Sequence, residues 1–256
     1  MKVTILGCGS AAGCPSVSGG WGKCDPHNPK NRRLRSSILV EQGPTALLVD
    51  SSPDLREQML NANVRRVDAV LYTHAHADHI HGIDDLREVN RVTRGPLQIY
   101  GPAETLETLR DRFGYAFEGV PEGKPVFRPW LIANDIAPPQ SFSVGDISIR
   151  PFLQDHGFSS TVGYSFGDIV YSTDLIDLPQ TSREIIRGAK VWIIGVLSEQ
   201  PYATHVHVSK ALEWIEDLKP QRAVITHMSN TLDFDTLSTR LPAGVTPAFD
   251  GMVIEV

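Results

Sequence analysis

The sequence predicts an α/β fold of four layers, αββα, with two mixed sheets packed face to face and helices outside. Three observations predict it. Short β-type runs alternate with amphipathic helical stretches along the chain. The scheme runs through twice, strands first and then strand–helix units, with no linker or low-complexity segment between the halves. Side chains able to bind metal recur just past strand ends, where stacked sheets bring them to one edge. A chain of 256 residues is long enough to bury a full core, and residues 1–256 read as one domain.

Each element has its own signal. Lys2–Leu6 reads as a strand that ends in the Gly/Ala/Ser-rich turn 7–13. A long irregular loop follows through Pro15–Asn31, and loops of that length in compact domains are usually functional. Ser37–Gln42 and Thr45–Asp50 form a hairpin across Gly43-Pro44. Pro53 opens a helix to about Asn61, because proline suits a first helical turn. Asp68–Tyr72 is a strand, and one helix is expected from near Asp78 through Arg87. Leu97–Tyr100 is a strand and Ala103–Arg112 a helix, whereas the proline-rich stretch Glu118–Pro139 supports no assignment. In the second half the strands are Ile147–Leu153, Thr161–Phe166, Asp168–Ser172, Val191–Val196 and Ala223–Thr226. The helices there are Ser182–Arg187, Val208–Leu218 and Asp233–Ser238, and Phe249–Val256 closes the chain as a strand.

Bulk properties exclude several classes. A net charge of −6 argues against a protein that grips long nucleic acid by neutralising phosphates. No apolar stretch approaches the roughly 18 residues of a membrane helix, so no membrane is expected. The three cysteines, Cys8, Cys14 and Cys24, are too few and odd for a disulfide framework, which favours a reducing cytoplasm.

The strongest chemical signal is Thr73-His74-Ala75-His76-Ala77-Asp78-His79, directly after a strand. Imidazole suits zinc, iron and manganese, and the carboxylate adds affinity for harder ions. Alternate residues of an extended segment point the same way, so His74 and His76 can share one ion. Asp78 and His79 stand where the chain turns into a helix and can serve a second. A solvated polar turn would explain one or two histidines but not this density. His156, Asp174 and His227 each follow a strand end; alone each would be weak, but together they complete two three-ligand sites and a bridge.

In this order the residues resemble the metallo-β-lactamase superfamily pattern. The resemblance implies one ion on His74, His76 and His156, a second on Asp78, His79 and His227, and Asp174 bridging both. Within that superfamily the chain is similar to PhnP-type phosphodiesterases. The residues that carry this are 31–37 (Asn-Arg-Arg-Leu-Arg-Ser-Ser), 81–87 (His-Gly-Ile-Asp-Asp-Leu-Arg), 226–229 (Thr-His-Met-Ser) and 249–252 (Phe-Asp-Gly-Met). Some such relatives hold an extra structural zinc on a cysteine cluster and a distant histidine. Here the loop offers only Cys14, Cys24 and His27, and Asn230 stands where that histidine would fall, so this zinc is not expected. Gly195 departs from the pattern too, since similar proteins often carry an acid there.

Two divalent ions, zinc or manganese with iron as an alternative, about 3.5–4 Å apart can share a bridging water and lower its pKa; the hydroxide then attacks phosphorus in line. The leaving alkoxide needs a proton, and His205, which the resemblance places in the active site, is the candidate general acid. Asp78 and Asp174 complete the catalytic set. Asp50 is a candidate to orient a ligand imidazole, with a turn aspartate as the alternative. The expected substrate is a small phosphorylated molecule, a cyclic ribose phosphate or nucleotide. Lys30, Arg32, Arg33 and Arg35 are candidates to hold its phosphate, or a solvated basic face. Thioester or lactone hydrolysis on the same site and a non-catalytic PqqB-like carrier are the alternatives, and a homodimer is compatible with related folds.

Overall fold

Two sheets of seven strands account for the β-type runs. The computed structural model describes residues 1–121 and 123–256; Glu122, in the unassigned proline-rich stretch, lies outside the described residues. In chain order the first half gives β1 (Lys2–Gly7), β2 (Ser37–Gln42), β3 (Thr45–Val49), α1 (Leu55–Asn61), β4 (Ala69–Leu71), α2 (Ala77–Ile80), α3 (Leu86–Thr93), β5 (Leu97–Gly101), α4 (Ala103–Phe113) and β6 (Leu131–Asp135). The second gives β7 (Phe142–Val144), β8 (Ile147–Asp155), β9 (Ser160–Phe166), β10 (Ile169–Ser172), α5 (Gln180–Ile186), β11 (Val191–Gly195), α6 (Val208–Leu218), β12 (Arg222–Thr226), α7 (Phe234–Ser238), β13 (Val245–Pro247) and β14 (Val253–Glu255).

The first sheet runs β14-β1-β2-β3-β4-β5-β6 and the second β13-β12-β11-β10-β9-β8-β7. Both are mixed. β1, β2 and β3 are antiparallel neighbours, while β3 to β6 are parallel. β7 to β10 form an antiparallel meander, while β10 to β13 are parallel. The expected α/β class and pair of mixed sheets are thus borne out.

Period-two alternation decides which side each residue covers. Val3, Ile5, Ile38, Val40, Leu47, Val49, Ala69 and Leu71 face the second sheet and pack on Ile149, Phe152, Tyr164, Tyr171 and Ile193. Their neighbours Leu39, Leu48 and Val70 face outward and are covered by Leu55 of α1, Leu86 and Val89 of α3, and Leu106 and Leu109 of α4. The inner strands β2, β3 and β4 of the first sheet are buried largely on both faces, which is why they read as apolar runs.

Some elements differ from expectation. The single helix expected from Asp78 to Arg87 is broken: α2 ends at Ile80, a 3-10 turn covers Ile83–Asp85, and α3 then runs to Thr93. Gly82 causes the break. Its amide donates to Ser51 O at 2.9 Å, and a Cβ there would lie 1.9 Å from Ser52 O. β6 went unassigned because Pro129 and Pro138 flank a five-residue run. β7 is a three-residue strand turned by Gly145 at φ 52°. The terminal strand expected over Phe249–Val256 is only β14, paired with β1 in the first sheet, while β13 just before it belongs to the second. The chain crosses between sheets through Asp250, whose carboxylate accepts from Cys8 N at 3.0 Å and Leu34 N at 2.7 Å. Among the described residues no helix is long and apolar enough to cross a membrane.

Candidate metal centre

The parallel strands end on one edge, and the polar side chains follow those ends. Asp50 follows β3, His74 and His76 follow β4, Asp174 follows β10 and His227 follows β12. His156 follows the long β8 on the same side. Asp50, Asp174 and His227 have φ of 62°, 49° and 56°. Left-handed backbone at a non-glycine residue is costly, and Asp and His tolerate it better than most. The conformation turns each side chain inward just as its strand stops.

Ligand-type atoms of His74, His76, His156 and Asp174 lie within 4.8 Å of one another, as do those of Asp78, His79, Asp174 and His227. Asp174 belongs to both sets because its two oxygens face different ways. Oδ1 is 3.4 Å from His79 Nε2 and 3.2 Å from His227 Nδ1. Oδ2 is 3.7 Å from His74 Nε2 and 3.2 Å from His205 Nε2. The chain thus brings together all seven residues singled out as ligands, and sets His205 beside them.

Hydrogen bonds fix which ring nitrogen faces the centre. Asp50 is fully buried: Oδ1 accepts from Thr73 N at 2.8 Å, and Oδ2 accepts from Thr73 Oγ1 at 2.8 Å and His79 Nδ1 at 2.6 Å. His79 Nε2 is left facing Asp78 Oδ2 at 3.1 Å. The Thr73 hydroxyl is spent as a donor to Asp50, so it accepts from His74 Nδ1 at 3.0 Å and leaves His74 Nε2 inward. Thr204 O accepts from His156 Nδ1 at 2.8 Å, which frees His156 Nε2. Ser36 Oγ lies 3.1 Å from His227 Nδ1. Sequence reasoning raised Asp50 but missed Thr73, Ser36 and Thr204 as partners. Thr73 and Ser36 sit inside the motifs that drew attention, whereas Thr204 contributes only a backbone carbonyl, which no side-chain pattern reveals.

The donor set fits divalent cations. His74 Nε2, His79 Nε2 and Asp78 Oδ2 are buried without a hydrogen-bond partner among the described residues, and such atoms demand an explanation. Burial pushes His74 and His156 below the ordinary imidazole range and His227 down to about 4. Burial would raise Asp78 and Asp174, but the histidines around them hold both carboxyls below their usual range. Neutral imidazoles and ionised carboxylates are the protonation states that bind metal. His79 is the exception. Burial lowers it, but Asp78, Asp174 and Asp50 outweigh that and raise it well above its ordinary value. Three carboxylates around one imidazole call for positive charge, which a proton or a metal ion can supply.

A cleft of about 150 Å³ opens over the centre, bordered by Ala11, His76, Asp78, His156, Phe158, Ser159, Asp174, Thr204 and His205. His205 Nδ1 is 2.8 Å from Thr204 Oγ1, and its ring stacks on His227 with centroids 5.1 Å apart. The four basic residues considered for phosphate do not border the cleft. Arg33 is buried and donates to Ser229 O, Asn31 Oδ1 and Leu232 O. Arg35 pairs with Asp54 at 2.8 Å, Arg32 lies over Trp21, and Lys30 over Phe234. They brace the N-terminal loop instead. In the same loop Cys24 Sγ lies 3.5 Å from Asn230 O and 3.4 Å from Leu232 O, and Asn230 Nδ2 donates to Gly20 O. Gly195 packs against the centre: a Cβ there would lie 3.2 Å from Asp174 N and 3.5 Å from His227 Cβ. His81 is exposed and meets Phe113 edge-on.

The model of the β-lactamase superfamily domain matches residues 45–228, most of the chain and all seven cluster positions from His74 to His227 as well as Asp50. The chain belongs to the metallo-β-lactamase superfamily. The crystal structure of a diphosphatase from the PhnP family superposes with a TM-score of 0.91 at 30% identity, covering 100% of this chain and 97% of that one. The expected likeness to the PhnP branch is borne out. Zn²⁺-bound PqqB from Methylobacterium extorquens shares the fold, with a TM-score of 0.78 at 20% identity over the full length of both chains. An octanoyltransferase of Porphyromonas gingivalis is 29% identical over 257 residues, 98% of this chain and 51% of that protein. A ribonuclease Z of Mycobacterium sp. (strain KMS) is 35% identical over 115 residues, 43% of this chain and 35% of that one. The chain thus spans about half the length of the octanoyltransferase and a third of that ribonuclease.

Proposed function

We propose that this superfamily member is a two-metal phosphodiesterase acting on a small phosphodiester, a cyclic ribose phosphate or a nucleotide. The observation that carries this reading is Asp174, whose two oxygens address two separate donor sets, with His205 Nε2 3.2 Å away and in neither set. The likeness to a PhnP-family diphosphatase supports it. His74, His76 and His156 would hold one ion, Asp78, His79 and His227 the other, and Asp174 both. Zinc and manganese suit this mixed imidazole and carboxylate set, with iron as a third candidate. Such ions supply Lewis acidity that activates water and neutralises charge on phosphoryl oxygens.

The chain's own residues do the rest. Asp50 and Thr73 lock His79 and His74 with their Nε2 atoms inward. His205, bordering the cleft, donates a proton to the leaving alkoxide, a role worth about 10²–10⁴-fold in rate. The cleft has no lysine or arginine among its described lining residues, which suits the single charge of a diester better than the double charge of a monoester.

The test is turnover of adenosine 2′,3′-cyclic phosphate by zinc- and manganese-loaded protein, with chelated protein and His205→Ala alongside. Loss on chelation and a slowed variant are expected; two bound ions with no diester turnover would refute the reading. A second reading, thioester hydrolysis, draws on the relative named octanoyltransferase. An octanoyl thioester in the same assay separates the two.

A further inference from the structure

Two exposed aromatic rings stand close to the centre, one on the border of the cleft and one beside His205. Phe158 is 91% exposed and Tyr202 58% exposed. Phe158 comes two residues after His156 and borders the cleft together with His76, Asp174 and His205. The Tyr202 ring lies 5.9 Å from that of His205. The two segments are pressed together: Gly157 has φ 82°, and a Cβ on it would stand 2.9 Å from Ala203 O. Two separate loops thus each bring a ring to this region: Phe158 on the border of the cleft and Tyr202 beside His205. A single exposed phenylalanine needs no explanation. Two rings beside a reactive centre do, because each keeps apolar surface in water where a ligand must pass.

Size and charge point the same way. About 150 Å³ accommodates a phosphoryl group and little more, so the remainder of a substrate must lie outside the cleft, at the rings. The described residues bordering the cleft include no lysine or arginine, so no cationic side chain of its lining competes with the rings in holding the substrate. A flat apolar face is what two exposed aromatic rings bind best, and stacking against side chains is tolerant of which base is presented.

We propose that Phe158 and Tyr202 form a stacking subsite for a planar ring carried by the substrate, of the nucleobase type, and set its preference among phosphodiesters. This rests on the phosphodiesterase reading for its chemistry, but the subsite itself can be tested without turnover. The first experiment compares kcat/KM of the metal-loaded chain for adenosine 2′,3′-cyclic phosphate and methyl β-ribofuranoside 2′,3′-cyclic phosphate, followed by phosphorus NMR. The two differ only in the base. Adenosine is expected to be preferred, mainly through KM. Phe158→Ala should cut that preference about tenfold, the scale of one base–aromatic contact, and Phe158→Trp should restore it. Both rings are exposed, so neither change opens the core. The second experiment measures calorimetric binding of adenosine 5′-monophosphate against ribose 5-phosphate. Base-dependent binding that weakens in Phe158→Ala, with no diester turnover, would sustain the subsite and sink the hydrolytic reading. Equal binding of the two phosphates, or an unchanged preference in both Phe158→Ala and Tyr202→Ala, would overturn the subsite.

Discussion

Replacing Asp50 by asparagine removes one negative charge from the floor of the centre and little else. Asp50 is the right position because it touches a single ligand of the second set, His79, through Nδ1 at 2.6 Å. Asparagine is the right replacement because φ there is 62°, a conformation it tolerates, whereas alanine would add backbone strain. The amide keeps one acceptor oxygen for Thr73 N but turns an NH2 group toward the Thr73 hydroxyl and His79. One buried donor then faces another, at about 1–3 kcal/mol of stability. At this chain length that lowers Tm by roughly 2–12 °C. Loss of the carboxylate that orients a ligand imidazole weakens metal binding about 10–100-fold. The assay is a titration of apo protein with Zn²⁺ against a competing chelator, alongside a thermal melt. Two binding steps are expected in the parent, and Asp50→Asn should weaken the one on His79 more, because His74 meets Asp50 only through the Thr73 hydroxyl. Unchanged affinity of both steps in a folded variant, or a greater loss at the site of His74, His76 and His156 than at that of His79, would refute this.

Other perturbations have equally definite outcomes. His205→Ala should slow a diester with an alkyl leaving group about 10²–10⁴-fold and bis(p-nitrophenyl) phosphate much less, because nitrophenolate leaves without a proton; equal losses on both would assign His205 another role. Burial pushes Asp250 up to about 6, against the hydrogen bonds from Leu34 and Cys8 that lower it. A carboxyl raised in the folded state binds its proton more tightly there, so its contribution is fully present below about pH 4 and is lost as pH rises through about 6, a difference of about 3 kcal/mol. Urea unfolding of the parent and Asp250→Asn should therefore diverge by about that amount between pH 4 and pH 7, with the parent losing ground as pH rises; parallel pH curves would contradict this. Gly82→Ala drives a Cβ to 1.9 Å from Ser52 O and should cost about 1–3 kcal/mol, read as a lowered Tm. An unchanged Tm would mean that the break between α2 and α3 yields freely.

Much of this architecture is written in local pattern. Ile38–Val40 and Leu47–Val49 read as strands because both faces of their sheet are covered, and α6 matches its expected bounds because its apolar period is uninterrupted. The metal-type residues were legible because histidine is scarce and sits at strand ends. What escaped is what depends on distant partners. Gly82 breaks a helix that its own sequence favours, through a carbonyl thirty residues earlier. β6 needs β5 to become a strand between prolines. The basic residues 30–35 looked like a phosphate grip, but Arg33 spends its guanidinium on carbonyls near residue 230, a contact no local reading contains. Phe158 drew no attention either, since a lone aromatic beside a histidine has no sequence signature until the fold sets it over the cleft.

On the proposed function, Asp174 would join two cation sites through its two oxygens. Electron paramagnetic resonance of the manganese-loaded chain tests it most directly, with bound metal counted on the same sample. Two ions per chain and the multiline signal of a spin-coupled pair, lost in Asp174→Asn, are expected. A single equivalent, or two ions giving only the six-line spectra of isolated manganese, would contradict it.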